Sequence, residues 1–499
     1  FDAPQPQCRV AVGDVGIIKD LSAHELPINA WTDGNNVEFV NGYVKQCLGY
    51  SAVSSAPTSS MQHVMMFKNG ATEDILYCCG TSVYVSQSYG SPTNITGPSI
   101  YFAAWNTTSC LLSGIPILND GYNVPQYWDK TITHTLANLT NWQAGYLCGA
   151  LRSYKNYLVA LDVTKSGTRY PYMVKWSHPA DPGSLPASWD QTDATKDAGE
   201  YDLAEGGDLV VAGLQLRDSF IVYKENSAWR MDYVGGDYVM RFAKIDNMAG
   251  IAQRGAVVDI GGRHVVYTGS DLMIHDGINA KSVMDGKVRE YIIRYIQGGN
   301  QAFLLHVPAR KCVWLCFSDS RQSLYSGYTS MAVSWNYVTD TIALHNLPYI
   351  AHGCSARNVR GWSSTVTAKS ANATIMVGRN SPYALQVDAA FTNNGTAISS
   401  YIERTGLVFG APEKRKIIKA ILPRIFAANG ATMTIKCGSQ ADPYTAPTAW
   451  QSQTFTVGTT ERCPFTVDGR YIAIRIETGT ATGWRLDSYS VEYDLAGEY

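Results

Sequence analysis

The sequence predicts an all-β protein whose central part is a β-propeller of six or seven blades, with seven preferred. Two consecutive strand–turn–strand units lead to this prediction, RDSFIVYKENSAWRMDYVGG from Arg217 and RHVVYTGSDLMIHDG from Arg263. Runs of β-branched and aromatic residues bounded by Asn, Asp, Ser and Gly are typical of antiparallel hairpins. Phe220 and Val265 occupy equivalent positions 45 residues apart, which is the length of a four-stranded propeller blade.

The same unit recurs along the chain at irregular steps. Its further anchor positions are Ile75, Leu112, Tyr157, Val313 and Ile375. The two longest steps contain predicted loops at 178–207 and 353–372. Seven such units favour a propeller, because radial repetition protects strand edges without closing a barrel. Another large antiparallel β fold is the alternative, since hairpins recur in all of them.

The composition limits the possible function classes. Charged residues make up only 16% of the 499 residues, and the formal net charge is −2. The chain therefore lacks the overall positive charge that recruits nucleic acid. No apolar run reaches the length of a membrane span, so we expect no membrane insertion. The chain starts at Phe1 without Met or a signal-like apolar segment, and we expect this start to be cropped or processed.

The eleven cysteines predict buried free thiols. An odd count leaves at least one thiol without a disulfide partner. Cys78 and Cys79 point to opposite faces of one strand, and Cys312 and Cys316 lie too far apart along another strand to be bridged. Because no Cys/His group has zinc spacing, we predict no structural metal and no cofactor.

Residues 1–60 do not follow the repeat and are predicted to form a platform or to close the propeller. Their clearest feature is the hairpin VEFV–NG–YVKQ, which starts at Val37. Asn41 and Gly42 are predicted to supply the two positive-φ positions of a type I′ turn. We expect this hairpin to pair with strands from late in the chain and to close the ring of blades at its seam.

Residues 61–398 are assigned to the propeller and residues 399–499 to a C-terminal β-sandwich. RYIAIRIE, from Arg470, alternates as a half-buried antiparallel strand does. Six to eight strands in about a hundred residues indicate a sandwich. We expect this sandwich to be a separate module, so that the propeller folds as a monomer without it. The cationic cluster Lys414, Arg415, Lys416 and Lys419 is a candidate assembly surface, and a solvated strand entry is the alternative to a nucleic-acid patch.

Candidate catalytic residues are few. Glu200, Asp202, Glu205 and Asp208 lie close together in sequence and could be paired carboxylates for glycoside hydrolysis, although acidic loop residues are usually only solvated. No serine-hydrolase, zinc-protease, Walker or dinucleotide motif is present, and we predict no enzyme activity. His178 is interpreted as a loop residue. Exposed aromatic side chains in loops are predicted to form a protein interface or a sugar platform: Tyr170, Tyr172, Trp176 and Trp189.

Several stretches, in order, resemble one protein family. Seven stretches carry the likeness. Near the N-terminus it is GIIKDLSAHELPINAWTDGNNVEFVNGYVKQCLGY; in the middle of the chain, PQYWD, WSHPADPGSLPASWDQ and KENSAWRMDYVGG; and near the C-terminus, IERTGLVFGAPEKRKIIKAILP, VDGRYIAIRI and WRLDSYSVEYDLAGE. Together they resemble the nozzle proteins of short-tailed phages, also called tail tubular protein B, which are related to packaged-DNA stabilisation proteins. Their shared order along the chain, rather than one motif, carries the resemblance.

The resemblance implies a structural virion protein of a phage tail. It implies a homohexameric ring below the portal and its adaptor, with side surfaces for tail fibres or spikes. Double-stranded DNA would be retained, and would pass through the ring during ejection without sequence readout. A near-neutral chain suits this role because a strongly basic channel would hold phosphates. The alternatives are a secreted carbohydrate-binding or glycoside-active propeller and a cellular interaction scaffold.

Overall fold

The computed structural model describes residues 7–53, 55–70, 72–103, 106–296, 302–322, 325, 327–355, 374–379, 384–388 and 390–498. Within these ranges the chain forms forty strands and one short α-helix, α1 (Arg289–Tyr295). Two single 3₁₀ turns lie at Gly236–Tyr238 and Pro308–Arg310. The all-β prediction is confirmed.

The first five strands are short and belong to two different parts of the fold. They are β1 (Gln7–Ala11), β2 (Asp33–Asn35), β3 (Val37–Val40), β4 (Tyr43–Gln46) and β5 (Tyr50–Ala52). The first four join the C-terminal strands, whereas β5 joins the propeller.

The next strands form four-stranded antiparallel blades in sequence order. Blade 1 contains β6 (His63–Asn69), β7 (Thr72–Cys79), β8 (Ser82–Gln87) and β9 (Thr93–Asn94). Blade 2 contains β10 (Thr108–Leu112), β11 (Ile115–Asn119), β12 (Gln126–Tyr127) and β13 (Ala137–Asn138). Blade 3 contains β14 (Tyr146–Tyr154), β15 (Tyr157–Lys165), β16 (Thr168–Trp176) and β17 (Gly199–Asp202). Blade 4 contains β18 (Val210–Leu216), β19 (Ser219–Lys224), β20 (Ala228–Tyr233) and β21 (Met240–Ile245).

The last three blades include one shared strand. Blade 5 contains β22 (Val257–Asp259), β23 (His264–Tyr267), β24 (Leu272–His275) and β25 (Ala280–Ser282). Blade 6 contains β26 (Phe303–Val307), β27 (Cys312–Phe317), β28 (Thr329–Asn336) and the first half of β29 (Thr341–Ser355). Blade 7 contains the second half of β29, then β30 (Thr374–Gly378), β31 (Ala384–Val387) and β5. Between the two halves of β29, Tyr349 has a φ of 58°.

The described blades form a closed ring of seven. The first strands of successive blades contact one another from β10 to β29, and β29 contacts β6. Between β6 and β10 the ring is completed by a 2.8 Å hydrogen bond that joins His63 Nε2 and Ser109 Oγ. Strand β5 precedes β6 of blade 1 in sequence but is the outer strand of blade 7. The N-terminal part of the chain therefore connects the last blade to the first.

The anchor positions from the sequence mark the second strand of most blades. Ile75, Tyr157, Phe220, Val265, Val313 and Ile375 lie on β7, β15, β19, β23, β27 and β30. Leu112 instead ends β10, the first strand of blade 2. The predicted loop 178–207 includes β17, the outer strand of blade 3. The predicted loop 353–372 begins on β29 and continues outside the described residues.

The C-terminal strands form two sheets packed as a sandwich. After a short hairpin, β32 (Thr392–Asn393) and β33 (Thr396–Ala397), come β34 (Ser400–Leu407), β35 (Lys414–Phe426), β36 (Thr432–Gln440), β37 (Thr448–Thr456), β38 (Cys463–Gly469), β39 (Tyr471–Thr478) and β40 (Arg485–Glu498). One sheet has the order β3-β4-β40-β35-β38, with β1 also paired to β40. The other has the order β2-β34-β39-β36-β37.

The hairpin β3–β4 does not close the propeller, so that expectation is wrong. It does pair with a late strand, because Val44 lies opposite Leu486 on β40, but β40 belongs to the sandwich. The seam lies a few residues further on, where Ser51 of β5 lies opposite Gln386 of β31.

The sandwich is not a separate module. One continuous cluster of buried apolar side chains includes Val10 and Trp31 of the N-terminal segment, Ile221 and Val313 of the blades, and Ile474 of the sandwich. Backbone hydrogen bonds also cross between the two parts, such as Ile17 N to Ile342 O at 3.0 Å. The N-terminal segment therefore lies between the two parts and packs against both.

Candidate assembly surface

The Asn41–Gly42 turn has the geometry that its sequence predicts. Asn41 has φ 48° and Gly42 has φ 82°, and Val40 lies directly opposite Tyr43. Two positive φ angles in a two-residue loop define a type I′ turn. The turn packs against Gly13, which forms an isolated bridge with Gly42. This packing fixes the hairpin against the segment that follows β1, so its tip is a structural element.

The cationic cluster lies on β35, which is an inner strand of its sheet and has β40 and β38 as neighbours. Arg415 forms an ion pair with Asp468, and Lys419 Nζ lies 2.5 Å from Asp494 Oδ2. Lys416 is fully buried and donates from Nζ to Arg470 O at 2.7 Å. Burial, reinforced by Arg470, lowers the pKa of Lys416 to about 8. Lys414 is exposed at the start of the strand.

These contacts change the interpretation of the cluster as an assembly surface. Two of its four cations already have carboxylate partners within the chain, and a third is buried. Carboxylates of a partner subunit would have to replace these existing ion pairs. Such a replacement would gain little, because exposed ion pairs contribute only about 0–1 kcal/mol each. The cluster as a whole is not an open cationic patch.

The outer edges of the sandwich offer a better surface. Among the described strands, β37 pairs only with β36, and β38 pairs only with β35. The opposite ends of the two sheets, β2 and β3, contact β29 of the propeller. The open edges β37 and β38 therefore lie at the end of the sandwich that faces away from the blades.

Strand β37 carries neither the charges nor the prolines that protect many edge strands, although its pairing with β36 is irregular near Ala449, which has a φ of 50°. Its sequence, TAWQSQTFT, contains no charged residue and no proline over nine positions. Natural edge strands are commonly protected by charges, prolines or bulges, because an exposed edge pairs with other chains. The side chain of Gln451 bonds the backbone of Thr466 on β38, with contacts of 2.8 and 3.0 Å. The two edges thus form one continuous surface, and the run AWQSQTF in the sequence was the signal that could have identified it.

Three of the four acidic residues of blade 3 and its following loop lie beside lysines. Glu200 lies 2.6 Å from Lys165 Nζ and 3.3 Å from Lys175 Nζ. Asp208 lies 2.8 Å from Lys224 Nζ. Glu205 is paired with Lys244 at 3.1 Å, and Asp202 is exposed on β17. Three of the four carboxylates are therefore held in ion pairs, whereas a glycosidase needs two carboxyl groups that face a shared substrate.

Two of the four predicted surface aromatics are buried, so that part of the prediction is wrong. Trp176 is 6% exposed and donates from Nε1 to Asp197 O at 2.8 Å. Trp189 is 1% exposed and packs edge-on against Trp142. Trp176 is the last residue of β16, and the loop that contains Trp189 folds back over blade 3, so neither side chain reaches the surface. Tyr170 is exposed and Tyr172 is partly exposed.

The cysteines are free thiols, as predicted. All eleven lie in described ranges, none forms a disulfide, and nine are buried. Cys78 and Cys79 belong to two different apolar clusters on opposite faces of β7. Burial raises the pKa of Cys110 and Cys312 to about 12. The described residues contain no group of three or more His, Cys, Asp or Glu side chains placed to hold a metal, and no described helix is long and apolar enough to cross a membrane.

In the comparisons with known proteins, the chain matches solved structures alone, at low sequence identity. No family model matches the chain, and no curated protein matches it. Among solved structures, the WD40 β-propeller domain of Doa1 matches 68% of this chain and 96% of its own, with 10% identity and a TM-score of 0.38. BBS1N in complex with ARL6 matches 70% and 99%, with 8% identity and a TM-score of 0.41. YCF48 bound to D1 peptide matches 69% and 98%, with 7% identity and a TM-score of 0.38. The propeller assignment itself rests on the strand pairing described above.

Proposed function

We propose that this protein is a structural component of a short phage tail, where copies of the chain form a ring that retains packaged DNA and conducts it during ejection. The observation that carries the proposal is the order of the motifs. The N-terminal hairpin block, the central KENSAWRMDYVGG block and the C-terminal WRLDSYSVEYDLAGE block follow one another as in phage nozzle proteins. The ring is proposed to be a homohexamer in the virion, in contact with portal or adaptor proteins and with fibres or spikes.

The architecture supports a mechanical role. A ring subunit must transmit load between its neighbours without opening, and here the N-terminal segment packs against both the propeller and the sandwich. Closed rings are built from heterologous interfaces, in which one patch meets a different patch on the next copy. The uncharged edge β37 supplies one such patch, because strand edges pair with other chains through backbone hydrogen bonds. The role requires no catalytic group.

The first test is the assembly state of the purified chain. We expect negative-stain micrographs to show six-fold rings, and sedimentation to give a single hexameric species. A monomer at all protein concentrations, with glycan binding or hydrolysis in its place, would overturn the proposal in favour of the carbohydrate-active alternative.

The second test places the interface on β37. The double variant Ser452→Lys and Thr454→Lys adds two charges to exposed positions of this edge and should convert rings to folded monomers, since charges on an edge oppose strand pairing. Val338→Lys changes an exposed position on blade 6 and should leave rings intact. If the β37 variant still forms rings, the interface lies elsewhere.

A further inference from the structure

A small pocket lies on the axis of the propeller. It has a volume of about 50 Å³ and is lined by residues of blades 1, 3, 6 and 7 and of the segment between blades 4 and 5, including His63, Arg152, Arg254, Phe303, Thr329 and His352. A water-sized group needs about 10–15 Å³ of such volume, so the pocket has room for roughly four non-hydrogen atoms. That is the size of a carboxylate or phosphate group.

Arg152 brings a positive charge to this pocket without a counter-charge. Its Nη1 donates to Ser109 O at 3.2 Å, and its Nε is buried with no hydrogen-bond partner among the described residues. Burial lowers the pKa of Arg152, and the nearby Arg254 lowers it further, against an opposing effect of Cys110. Neither Nε nor Nη2 of Arg152 donates a hydrogen bond to a described residue, so this side of the guanidinium is without a partner.

Arg254 does not find a full counter-charge either. Its Nη2 lies 3.6 Å from Asp162 Oδ2, but this carboxylate already receives two hydrogen bonds from Arg169, at 2.7 and 3.0 Å. The other end of Arg254 donates from Nη1 to the backbone and side-chain oxygens of Asn106, both at 3.1 Å. One carboxylate is thus shared between two arginines, and Arg152 remains in excess.

Two stacked histidines complete the wall of the pocket. The rings of His63 and His352 lie 3.9 Å apart, and His352 Nδ1 accepts a hydrogen bond from Val64 N at 3.4 Å. His63 is 3% exposed, and its Nδ1 has no hydrogen-bond partner among the described residues. When the Ser109 hydroxyl donates to His63 Nε2, the proton of the neutral ring lies on Nδ1 and is available to an acceptor.

The rest of the chain offers little that could neutralise Arg152. The described residues include no ion pair of Arg152, and the stretches outside the described ranges contain only one acidic side chain, Asp2. Arg152 is partly buried, and a partly buried guanidinium without a counter-charge is unfavourable. An anion from solution would relieve this, and the free Nε–Nη2 side of an arginine matches the two oxygens of a carboxylate or phosphate.

We propose that the axial pocket binds a small oxyanion, either a carboxylate or a phosphate group, which contacts the Nε–Nη2 side of Arg152 and is also attracted by Arg254. His63 is placed to donate a further hydrogen bond. This binding is a property of each propeller and is independent of ring formation, so it is tested on the full chain whatever its assembly state.

Calorimetric titration of the full chain with inorganic phosphate and, separately, with acetate tests the proposal. We expect saturable binding of one anion per chain in at least one titration, which also identifies the favoured class. Sodium chloride at matched ionic strength should give no saturable heat. Absence of saturable binding in both titrations would overturn the proposal.

Two variants locate the site. Arg152→Gln should weaken the binding at least about tenfold, since it removes the bidentate charged donor. Arg424→Gln, which changes an exposed arginine of the sandwich, should bind as the unmodified chain does. If Arg152→Gln does not fold, Arg254→Gln replaces it and should also weaken the binding. Unchanged affinity in the folded pocket variant would contradict the assignment.

Discussion

At the scale of single residues, Arg310 links the three parts of the fold. It lies in the 3₁₀ turn of blade 6, and its side chain is 7% exposed. Nε donates to Asp388 Oδ1 beyond β31 at 2.6 Å, and Nη2 donates to Leu48 O at 2.6 Å. Nη1 lies 2.8 Å from Glu38 Oε1 on the hairpin. One guanidinium thus joins blade 6, blade 7 and the sandwich hairpin.

Replacement of Arg310 should therefore be strongly destabilising. Arg310→Met leaves Glu38 and Asp388 without their buried cation, and the loss of one partner from a buried ion pair costs about 3–5 kcal/mol. Urea unfolding monitored by fluorescence measures this cost. The exposed control Arg424→Met should change the unfolding free energy by less than about 0.5 kcal/mol. Equal effects of the two substitutions would show that the Arg310 contacts are not stabilising.

Because several histidines are buried, we expect the folded protein to lose stability in mild acid. Burial lowers the pKa of His264 and His352 to about 4, and those of His275 and His345 to about 3. An unfolded histidine has a pKa of about 6.5. Between pH 6.5 and 4 the unfolded chain binds more protons than the folded chain, so the unfolding free energy falls as the pH falls, by up to about 1.4 kcal/mol per pH unit for each histidine. Urea unfolding at pH 7, 6 and 5 measures this slope, and a flat profile would contradict it.

His345 offers a sharper test of the same effect. It stacks on Trp314, and neither of its ring nitrogens has a hydrogen-bond partner among the described residues. Because Phe cannot take up a proton, His345→Phe should raise the unfolding free energy more at pH 5 than at pH 7. The same change at both values would show that the proton uptake of His345 does not contribute.

Most of these single-residue roles could not be predicted from the sequence. The turn residues Asn41 and Gly42 were identified, because a type I′ turn depends on two adjacent positions. Arg310 and Arg152 carry no local signal, since their partners Asp388 and Ser109 lie 78 and 43 residues away. The cationic run at Lys414–Lys419 does not show in the sequence which of its side chains are paired, because the pairing of Arg415 with Asp468 and of Lys419 with Asp494 depends on the tertiary fold.

At the scale of elements, Gly13 and Gly42 meet where the hairpin β3–β4 packs against the segment after β1. Each glycine is required there for a different reason. Gly42 has a positive φ, while a Cβ there would meet only Asp14 Oδ1, at 3.5 Å. A Cβ on Gly13 would lie 2.2 Å from the carbonyl carbon of Gly42 and from Tyr43 N. Gly42 is needed for its backbone conformation, whereas Gly13 is needed for close approach of two backbones.

Substitutions at the two glycines should therefore rank in a defined order. Gly42→Val should cost about 1–3 kcal/mol through conformational strain. Gly13→Ala should cost more, because the clash involves backbone on both sides and cannot be relieved by a rotamer change. Thermal and urea unfolding of the two variants measure the order. A milder effect at Gly13 would indicate that the bridge to Gly42 is not maintained in solution.

The seam of the propeller gives an element-scale prediction. Val53 N donates to Ala384 O at 3.0 Å, and hydrogen-bonded pairs alternate in an antiparallel ladder. Ser51 and Gln386, two positions along, are then a hydrogen-bonded pair. Ser51→Pro removes a backbone donor from this pair, and hydrogen exchange should become faster in β5 and β31 first. Exchange that accelerates uniformly over all blades would contradict a localised seam.

The blades were largely predictable from sequence, whereas the two ends of the chain were not. A second strand such as β19 is buried over five of its six positions and therefore gives a strong apolar run. Its neighbours pair locally through short turns, so the hairpin pattern is visible within twenty residues. The pairing of β1 with β40 joins residues more than 470 positions apart, and no periodic pattern reports such a partner. Strand β38 begins at Cys463-Pro464, and its buried and exposed positions alternate over all seven residues, but the proline weakens the sequence signal of a strand.

At the scale of the whole molecule, the shared core determines what a truncation can do. Deletion of residues 399–499 removes β34–β40, and with them every described partner of β1 and β2. Buried side chains of the remaining chain, such as Ile17 and Trp31, would lose the sandwich side of their packing. Exposed apolar surface of this extent promotes aggregation. The truncated chain is therefore expected to be insoluble, or to unfold without a cooperative transition, rather than to form the monomeric propeller that a separate module would leave.

The matched control keeps the paired elements together. A chain shortened only at its last residue, Tyr499, retains every described strand and should melt as the full chain does. Soluble expression, sedimentation and thermal unfolding distinguish the outcomes. A 399–499 deletion that melts cooperatively as a monomer would show that the propeller is stable without the sandwich. A deletion that still forms rings would instead place the ring interface on the blades, because it lacks β37.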